Sequence, residues 1–448
     1  MKKKLLRILL MIAAILPITG CLSQGSSTKT DERKAPLTIR ITAPPIGLGN
    51  VPGVGEAEAI DLLEAAAERF SAQYDKEMVF EFNRFNYTDE KEQVLDKVGT
   101  PEAVDLFFAG SWNTSAWADQ GLLVPLDDII DEELRADISE TIWKQNTYNG
   151  HVYVMPYQQL QNTLAVNKTM MERAGLKNFI PEKDTIAHWS TEEFTTVLQE
   201  LKASFADENT YAFMMYARNN QGDSHIMTLL QAMGGSLYDK NGNFSVNTPE
   251  GIAALTWLKS LDERGFVPEN AENLEFIDSV NLFYNGQLAI CMANLTNLAD
   301  CRSRGLEVFL VNSPSLDGKG YATTSTNGFC IFDNGDEEKI QVLKDFIRYI
   351  YTDEDLMKYT LGTLPVNQSV MDQYKDDIWM LNAYSENTQN LTTIVRLDNL
   401  NWQGVRDVFY LIIQDLLKGT KTPAEAAYAI DQACNAALEQ GRTRKAGE

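Results

Sequence analysis

The sequence predicts the α/β fold class, with sheets flanked by helices. Over residues 37–108, strand patterns and helical patterns alternate as βαβαβ, and this order favours a parallel sheet covered by helices. The hydrophobic fraction of 44% and the aromatic fraction of 10% are typical of a globular chain with a sizeable core. A length of 448 residues predicts two or three domains.

The first elements follow from the spacing of their apolar residues. Leu37, Ile39 and Ile41 alternate with polar residues, as expected of a strand. The elements expected after this strand are a Pro/Gly-rich loop over 44–55, a helix beginning near Glu56, a strand over 78–82, a helix over 89–98 and a strand over 104–108.

The later elements are predicted by helix-start signals and by short apolar runs. Ser190 with Glu193, and Thr422 with Glu425, have the spacing of capping boxes, and Thr248 precedes a proline at a first helical position. The remaining elements expected are extended segments at 152–155, 164–166, 288–292, 308–311 and 329–332, and helices at 168–175, 190–201, 226–233, 248–265, 337–351 and 405–417.

The amino terminus resembles a bacterial lipoprotein signal. Basic residues precede an apolar run over 5–18, which is too short for a permanent membrane span, and Ile18-Thr19-Gly20-Cys21 follows it. We expect residues 1–20 to be removed, Cys21 to become the lipidated first residue, and polar residues 21–36 to form a flexible tether. The rest of the chain would then lie outside the cytoplasm. An ordinary secretory signal with an incidental cysteine is the alternative.

Composition argues against several classes of site. The formal net charge is −24, and no basic patch offers phosphate contacts, so nucleic-acid binding is not expected. Neither a metal nor a cofactor is expected, because there is no C-x-x-C pair, histidine pair or phosphate-binding loop. Cys291 and Cys301 form either a disulfide or two buried thiols, and the sequence leaves both open.

Four stretches together resemble the maltose-binding-protein-like solute-binding proteins of ABC importers. They are residues 105–126, 149–168, 283–292 and 401–406, which span most of the chain beyond the tether. The resemblance implies a type II periplasmic-binding-protein-like fold, in which two lobes close on a ligand. Lobe 1 would comprise 37–157 and 328–364, and lobe 2 would comprise 158–327 and 365–448.

The resemblance also implies a set of ligand-binding residues. These are Trp112, Asn113, Tyr157, Gln158, Gln161, Gln221, Asp223, Asn294, Thr296, Asn327, Trp402 and Arg406. Trp402 and Arg406 lie four residues apart, which puts them on one face of a helix. The alternatives are structural: a core role for the first tryptophan, a polar strand edge at 157–161, a solvated loop at 221–223 and a Trp–Arg stack at 402–406.

The function implied is non-catalytic capture of a mono- or oligosaccharide by a lipid-anchored monomer, which passes it to a membrane permease. A surface glycoside hydrolase is the alternative from another class, and it would need two carboxylates facing each other across a cleft. A sensor subunit that binds a solute is a further alternative. The sequence does not identify the solute.

Overall fold

Two long antiparallel strands run through the middle of the fold. A computed structural model describes residues 36–85, 89–182, 184–206, 208–293, 298, 301, 304–396 and 398–446. The strands are β1 (Leu37–Ala43), β2 (Gly47–Val51), β3 (Gly55–Glu58), β4 (Met78–Arg84), β5 (Leu106–Gly110), β6 (Thr147–Tyr148), β7 (His151–Val152), β8 (Met155–Asn167), β9 (Ile186–Ala187), β10 (Tyr211–Phe213), β11 (Leu288–Ala293), β12 (Val308–Val311), β13 (Ala322–Ile331), β14 (Leu364–Pro365) and β15 (Leu391–Thr392).

Helices lie between and after these strands. The α-helices are α1 (Ala59–Ser71), α2 (Glu90–Gln93), α3 (Thr114–Asp119), α4 (Glu132–Asp137), α5 (Glu140–Gln145), α6 (Lys168–Arg173), α7 (Thr191–Ser204), α8 (Ser224–Leu229), α9 (Pro249–Glu263), α10 (Phe276–Tyr284), α11 (Glu337–Thr352), α12 (Glu354–Met357), α13 (Gln368–Gln373), α14 (Leu381–Glu386), α15 (Trp402–Leu417) and α16 (Pro423–Ala446). Short 3-10 turns include Ser111–Asn113 and Asn220–Gly222. None of the helices in the described part combines the length and the apolar character that a membrane span requires.

The main sheet has the order β10-β11-β8-β13-β5-β1-β4. β1 lies between β4 and β5 and is parallel to both, so the predicted βαβαβ unit is confirmed. β13 pairs antiparallel with β5 on one side and with β8 on the other. β8 is therefore the strand through which the parallel unit connects to β11 and β12.

Hydrophobic side chains divide into separate clusters along this sheet. The first core contains buried residues from within 39–157 and 329–366, and the second core contains buried residues from within 164–438. A third cluster takes Ala165, whereas neighbouring Val166 belongs to the second core. Successive strand residues point to opposite faces, so the second and third clusters cover the two faces of the sheet around β8. This packing describes a two-part molecule, whose lobe boundaries remain the prediction given above.

Helix-start signals were reliable guides to the helices. Ser190 and Glu193 form the predicted capping box of α7, and Thr248 caps α9 with Pro249 in its first turn. Thr422 and Glu425 bond reciprocally before α16. Each of these side chains satisfies a backbone N–H that the first helical turn leaves without a partner.

Two predicted elements differ in kind from the structure, and the helix expected over 226–233 ends earlier, at Leu229. The helix expected over 89–98 is interrupted at Val94, whose fully buried side chain belongs to the first core, leaving α2 and a 3-10 turn at Leu95–Lys97. The loop expected over 44–55 instead contains the β2–β3 hairpin. In both places tertiary packing outweighs the local signal.

The cysteines of the described part are buried, and none of them forms a disulfide. Burial raises the pKa of Cys291 well above its usual value, and Cys301 adds to the shift. The protonated thiol is the form that this environment favours.

A contact between two glycine backbones holds the β2–β3 hairpin in place. A methyl group at Gly362 would lie 2.1 Å from the carbonyl oxygen of Leu48, and one at Gly49 would lie 2.4 Å from that of Gly362. Gly49 also has a φ of +70°, which disfavours other residues. The two backbones can approach this closely only because the side chain of glycine is a single hydrogen atom.

Replacing Gly362 by alanine should lower the free energy of unfolding by about 1–3 kcal/mol, because the added methyl overlaps a carbonyl oxygen. Urea unfolding followed by tryptophan fluorescence measures the change. Gly235→Ala is the matched control, since its nearest neighbouring atom would be at 3.4 Å. Equal stabilities of the two variants would contradict the contact.

Candidate functional site

A cavity of about 300 Å³ opens where the two cores meet. It is bordered by the loop after β1, the turn after β5 and the first residues of α2, α8, α10 and α15. Ends of parallel strands and helix N-termini carry unpaired backbone donors, so this edge is suited to a polar solute. The lining residues are Pro45, Ile46, Gly47, Glu90, Gly110, Trp112, Asn113, Gln158, Leu160, Asn162, Tyr216, Gln221, Asp223, Ser224, Phe276, Met292, Asn327, Trp402, Gln403 and Arg406.

A larger groove of about 650 Å³ lies elsewhere. Its lining residues fall within 129–155 and 348–372, so it borders only the first core. The smaller cavity is the better candidate, because side chains from both cores converge on it.

The alternation of β8 decides which of its side chains face the cavity. Gln158, Leu160 and Asn162 line it, whereas Tyr157 and Gln161 point to the other side. Tyr157 is fully buried in the first core and donates its hydroxyl to the carbonyl oxygen of Leu356. Gln161 donates to the carbonyl oxygen of Tyr384 at 3.1 Å. Both residues were expected to contact a ligand, and both lie outside the cavity lining in positions that stabilise the fold.

The other predicted residues divide between the cavity and the undescribed part of the chain. Those that line the cavity are Trp112, Asn113, Gln158, Gln221, Asp223, Asn327, Trp402 and Arg406. Asn294, Thr296 and Cys21 lie outside the described residues.

Trp112 spans the gap between the two cores. It follows β5, which belongs to the sheet of the first core, yet its ring packs against the second core. The indole also lies so close to Gly110 that a methyl there would be 1.9 Å from the Trp112 Nε1. Gly110 therefore gives the ring its position over the backbone.

Trp402 has a different environment. It is only 2% exposed and belongs to the second core, so most of its ring is packed against protein. It lines the cavity as the first residue of α15. Trp402 therefore packs into the second core and also borders the cavity.

Arg406 and Asp223 form a partly buried ion pair on the cavity wall. The Arg406 Nε lies 2.6 Å from the Asp223 Oδ2, and the Asp223 side chain is 1% exposed. Burial by itself would lower the pKa of Arg406, but the Asp223 carboxylate raises it above its usual value. A second guanidinium nitrogen donates to the carbonyl oxygen of Asn220 at 3.2 Å. The pair joins α15 to the start of α8 without adding net charge.

Two buried polar atoms beside the cavity have no hydrogen-bond partner in the described part of the chain. They are the Gln158 Nε2 and the Tyr216 hydroxyl oxygen. Gln158 is fully buried, and Tyr216 stacks on His225 with ring centroids 3.9 Å apart. Because buried polar groups in proteins are nearly always paired, these two atoms are candidates for further hydrogen bonds at the cavity.

Sequence reasoning missed Tyr216 and Glu90. Tyr216 follows β10 in an apolar run that carries no binding signal. Glu90 lies at the start of the helix expected over 89–98, where an acidic residue is ordinary because it favours the positive end of the helix dipole. Asn113 donates to the Glu90 Oε1 at 2.6 Å, so a turn distant in sequence directs this carboxyl towards the cavity.

Burial raises the pKa of Glu90 to about 7, against the lowering effects of Arg406 and of the hydrogen bond from Asn113. Burial likewise lowers the pKa of His225 to about 3, so its imidazole is neutral. Glu90 therefore changes charge near neutral pH, and His225 does not.

Comparison with known proteins agrees with this architecture. The chain is 22% identical over 325 residues to a binding protein of Brucella abortus, covering 71% of this chain and 76% of that one. It is 22% identical over 372 residues to a maltotriose-binding protein of Pyrococcus abyssi, covering 80% and 75%.

A solved structure of an ABC substrate-binding protein from Listeria monocytogenes in complex with cycloalternan superposes with a TM-score of 0.73 at 17% identity, covering 90% of this chain and 100% of that one. The two-lobe fold of the solute-binding proteins, predicted above, is thereby confirmed. The profile of the family described as bacterial extracellular solute-binding proteins matches residues 56–357, more than half of the chain. The protein belongs to the bacterial extracellular solute-binding protein family.

Proposed function

We propose that this protein is the substrate-binding subunit of an ABC importer and captures a carbohydrate between its two lobes. The convergence of amide, carboxyl and aromatic side chains on one cavity carries the proposal. Sugars present hydroxyl groups and flat C–H faces, which pair with such amides and with a ring such as Trp112. The maltotriose-binding relative and the cycloalternan complex support a saccharide ligand.

The unpaired Gln158 and Tyr216 atoms add to this proposal. A bound hydroxyl group both donates and accepts, so it pairs with an amide N–H and with a phenol. Tyr216 keeps its proton, because burial raises its pKa well above the usual value. Both side chains stand ready to bond a neutral polar ligand.

Lobe closure is the motion that the sheet connections allow. β8 continues from the first core to the second, and β13, which packs into the first core, pairs along it. Bending of a few residues in such strands produces a hinge without breaking either core. A cognate permease could then distinguish the open and the closed shapes.

A hydrolytic function is disfavoured by the partners of the cavity acids. Asp223 accepts bonds from Arg406 on one oxygen and from Ser224 on the other. Glycoside hydrolysis uses two carboxyl groups, one as acid and one as base or nucleophile. Glu90 and an Asp223 held in this way do not form such a pair, so we propose a binding protein without catalysis.

Membrane attachment belongs to the same proposal. Lipidation of Cys21, followed by the polar tether to residue 36, would keep the binder beside its permease. A lipid chain contributes roughly 0.8 kcal/mol per buried CH₂ group, and tethering raises the effective concentration at the partner. The ligand-binding set proposed is the eight predicted residues of the cavity with Asn294 and Thr296.

Isothermal titration calorimetry should show that the chain from residue 22 onwards binds at least one of glucose, maltose, maltotriose and N,N′-diacetylchitobiose. Trp112→Ala should weaken that binding by roughly 1–3 kcal/mol, because ring burial and stacking are lost. Trp379→Ala is the matched control, since Trp379 is a partly buried tryptophan outside the cavity lining.

Thermal unfolding of both variants checks that each is folded. Chromatography of the sugar after long incubation should recover it intact. Binding of amino acids only, or release of shorter sugars, would refute the proposed function. An unchanged affinity in Trp112→Ala would remove that ring from the site.

Expression in a bacterial host with an alkyne-labelled palmitate should label the wild-type protein, and mass spectrometry should place its first residue at Cys21. Cys21→Ala should abolish the label and leave residues 1–20 attached, because the thiol is the acceptor. Ser23→Ala changes a neighbouring residue and should retain the label. A wild-type chain that is cut elsewhere and unlabelled would contradict the anchor.

A further inference from the structure

Few charged hydrogen-bond acceptors line the cavity in the described part of the chain. The Asp223 Oδ2 accepts from the Arg406 Nε at 2.6 Å, and its Oδ1 accepts from the Ser224 backbone at 2.7 Å. These bonds engage both oxygens of a side chain that is 1% exposed. A solute therefore meets Asp223 mainly through the outer face of Arg406.

Glu90 is held in a different way. Its Oε1 accepts from the Asn113 Nδ2 at 2.6 Å, whereas its Oε2 has no hydrogen-bond partner among the described residues. The residue lines the cavity at the first turn of α2. One oxygen is thus used to orient the carboxyl group, and no residue of the described part engages the other.

The charged and titratable groups that act on Glu90 come from two other elements. Arg406 on α15 lowers its pKa, and the buried Cys330 thiol on β13 responds to its charge. Arg406 is in turn paired with Asp223 and influenced by Asp407. Arginine stays protonated, and burial keeps Cys330 a neutral thiol, so neither changes charge near neutral pH.

We infer that Glu90 is a specificity-determining ligand residue, whose Oε2 accepts a hydrogen bond from a hydroxyl group of the captured sugar. This inference rests on the proposed function. A hydroxyl group that donates a hydrogen bond to a carboxylate makes a charge-assisted bond, which is roughly twice as strong as a hydrogen bond between neutral groups. The Gln158 Nε2 and the Tyr216 hydroxyl group are hydrogen-bond donors, and they would bond to the oxygen atoms of the sugar's hydroxyl groups.

A consequence is that sugar capture releases a proton. The bond to a hydroxyl favours the ionised carboxylate, so it lowers the pKa of Glu90 in the complex below the value of about 7 in the free protein. Affinity therefore increases as the pH rises through about 7 and levels off above it. A solute that accepted a bond from protonated Glu90 would give the opposite slope.

The free protein provides a readout that needs no ligand. A folded-state pKa of about 7, above the model value of 4.5, stabilises the fold at low pH. This contribution is lost as the pH rises from about 4.5 to about 7. The free energy of unfolding of Glu90→Gln minus that of wild type should therefore be more positive at pH 8 than at pH 5. Urea unfolding at the two pH values measures this difference.

Calorimetry with whichever of glucose, maltose, maltotriose and N,N′-diacetylchitobiose binds wild type most tightly tests the inference. Glu90→Gln should bind that sugar about 10- to 100-fold more weakly at pH 8, and the difference should shrink at pH 5.5. Titrations at pH 7 in phosphate and in Tris should report release of about half a proton by wild type and none by the variant.

Glu92→Gln is the matched control, because it removes the same charge from an exposed position on α2. It should bind as wild type does at both pH values. Equal affinities of wild type and Glu90→Gln at pH 8, or proton uptake on binding, would overturn the inference and leave the proposed function standing. Failure of wild type to bind any of the four sugars would overturn both.

Discussion

The antiparallel pairing of β8 with β13 is the constraint on which the rest of the structure depends. The register runs from Thr323 opposite Asn162 to Phe329 opposite Met155. β8 contributes side chains to both cores, and β13, which contributes to the first core, pairs along it, so this ladder sets the position of one core relative to the other. A slip of one residue would turn the core-facing side chains of β8 towards the cavity, which opposes any such shift.

The same ladder builds the floor of the cavity. Gln158 lies opposite Asn327, and a register irregularity follows between Asn327 and Gly328. A methyl group at Gly328 would lie 2.0 Å from the Met155 carbonyl oxygen, so only glycine permits the strands to approach there. The site and the junction between the cores are therefore made by the same few residues.

The charged side chains and the unpaired polar atoms are unevenly distributed over the cavity walls. The Arg406–Asp223 pair is closed on itself and ties α15 to α8. Gln158, Tyr216 and Glu90 each keep an atom without a partner among the described residues. Leaving a buried polar group unpaired costs about 1–3 kcal/mol, so the buried Gln158 and Tyr216 atoms destabilise the protein unless a polar group pairs with them. The glycine contact at Gly49 and Gly362 holds the β2–β3 hairpin, and Gly47 at its start completes the rim with Ile46 of the preceding loop.

Sequence by itself determined the α/β class, the βαβαβ unit and the helix starts at Ser190, Thr248 and Thr422, because periodicity and capping are local. Only the tertiary structure decided which side of β8 faces the cavity. Gln158 and Gln161 are equally good ligand candidates in sequence, and they point to opposite sides only because one unbroken strand contains both. The break at Val94 also depends on the first core. Glu90 is an ordinary acidic residue of a first helical turn in sequence, and it becomes a cavity carboxyl only when the turn at Asn113 reaches it. Such contacts join residues distant along the chain, and no local pattern encodes them.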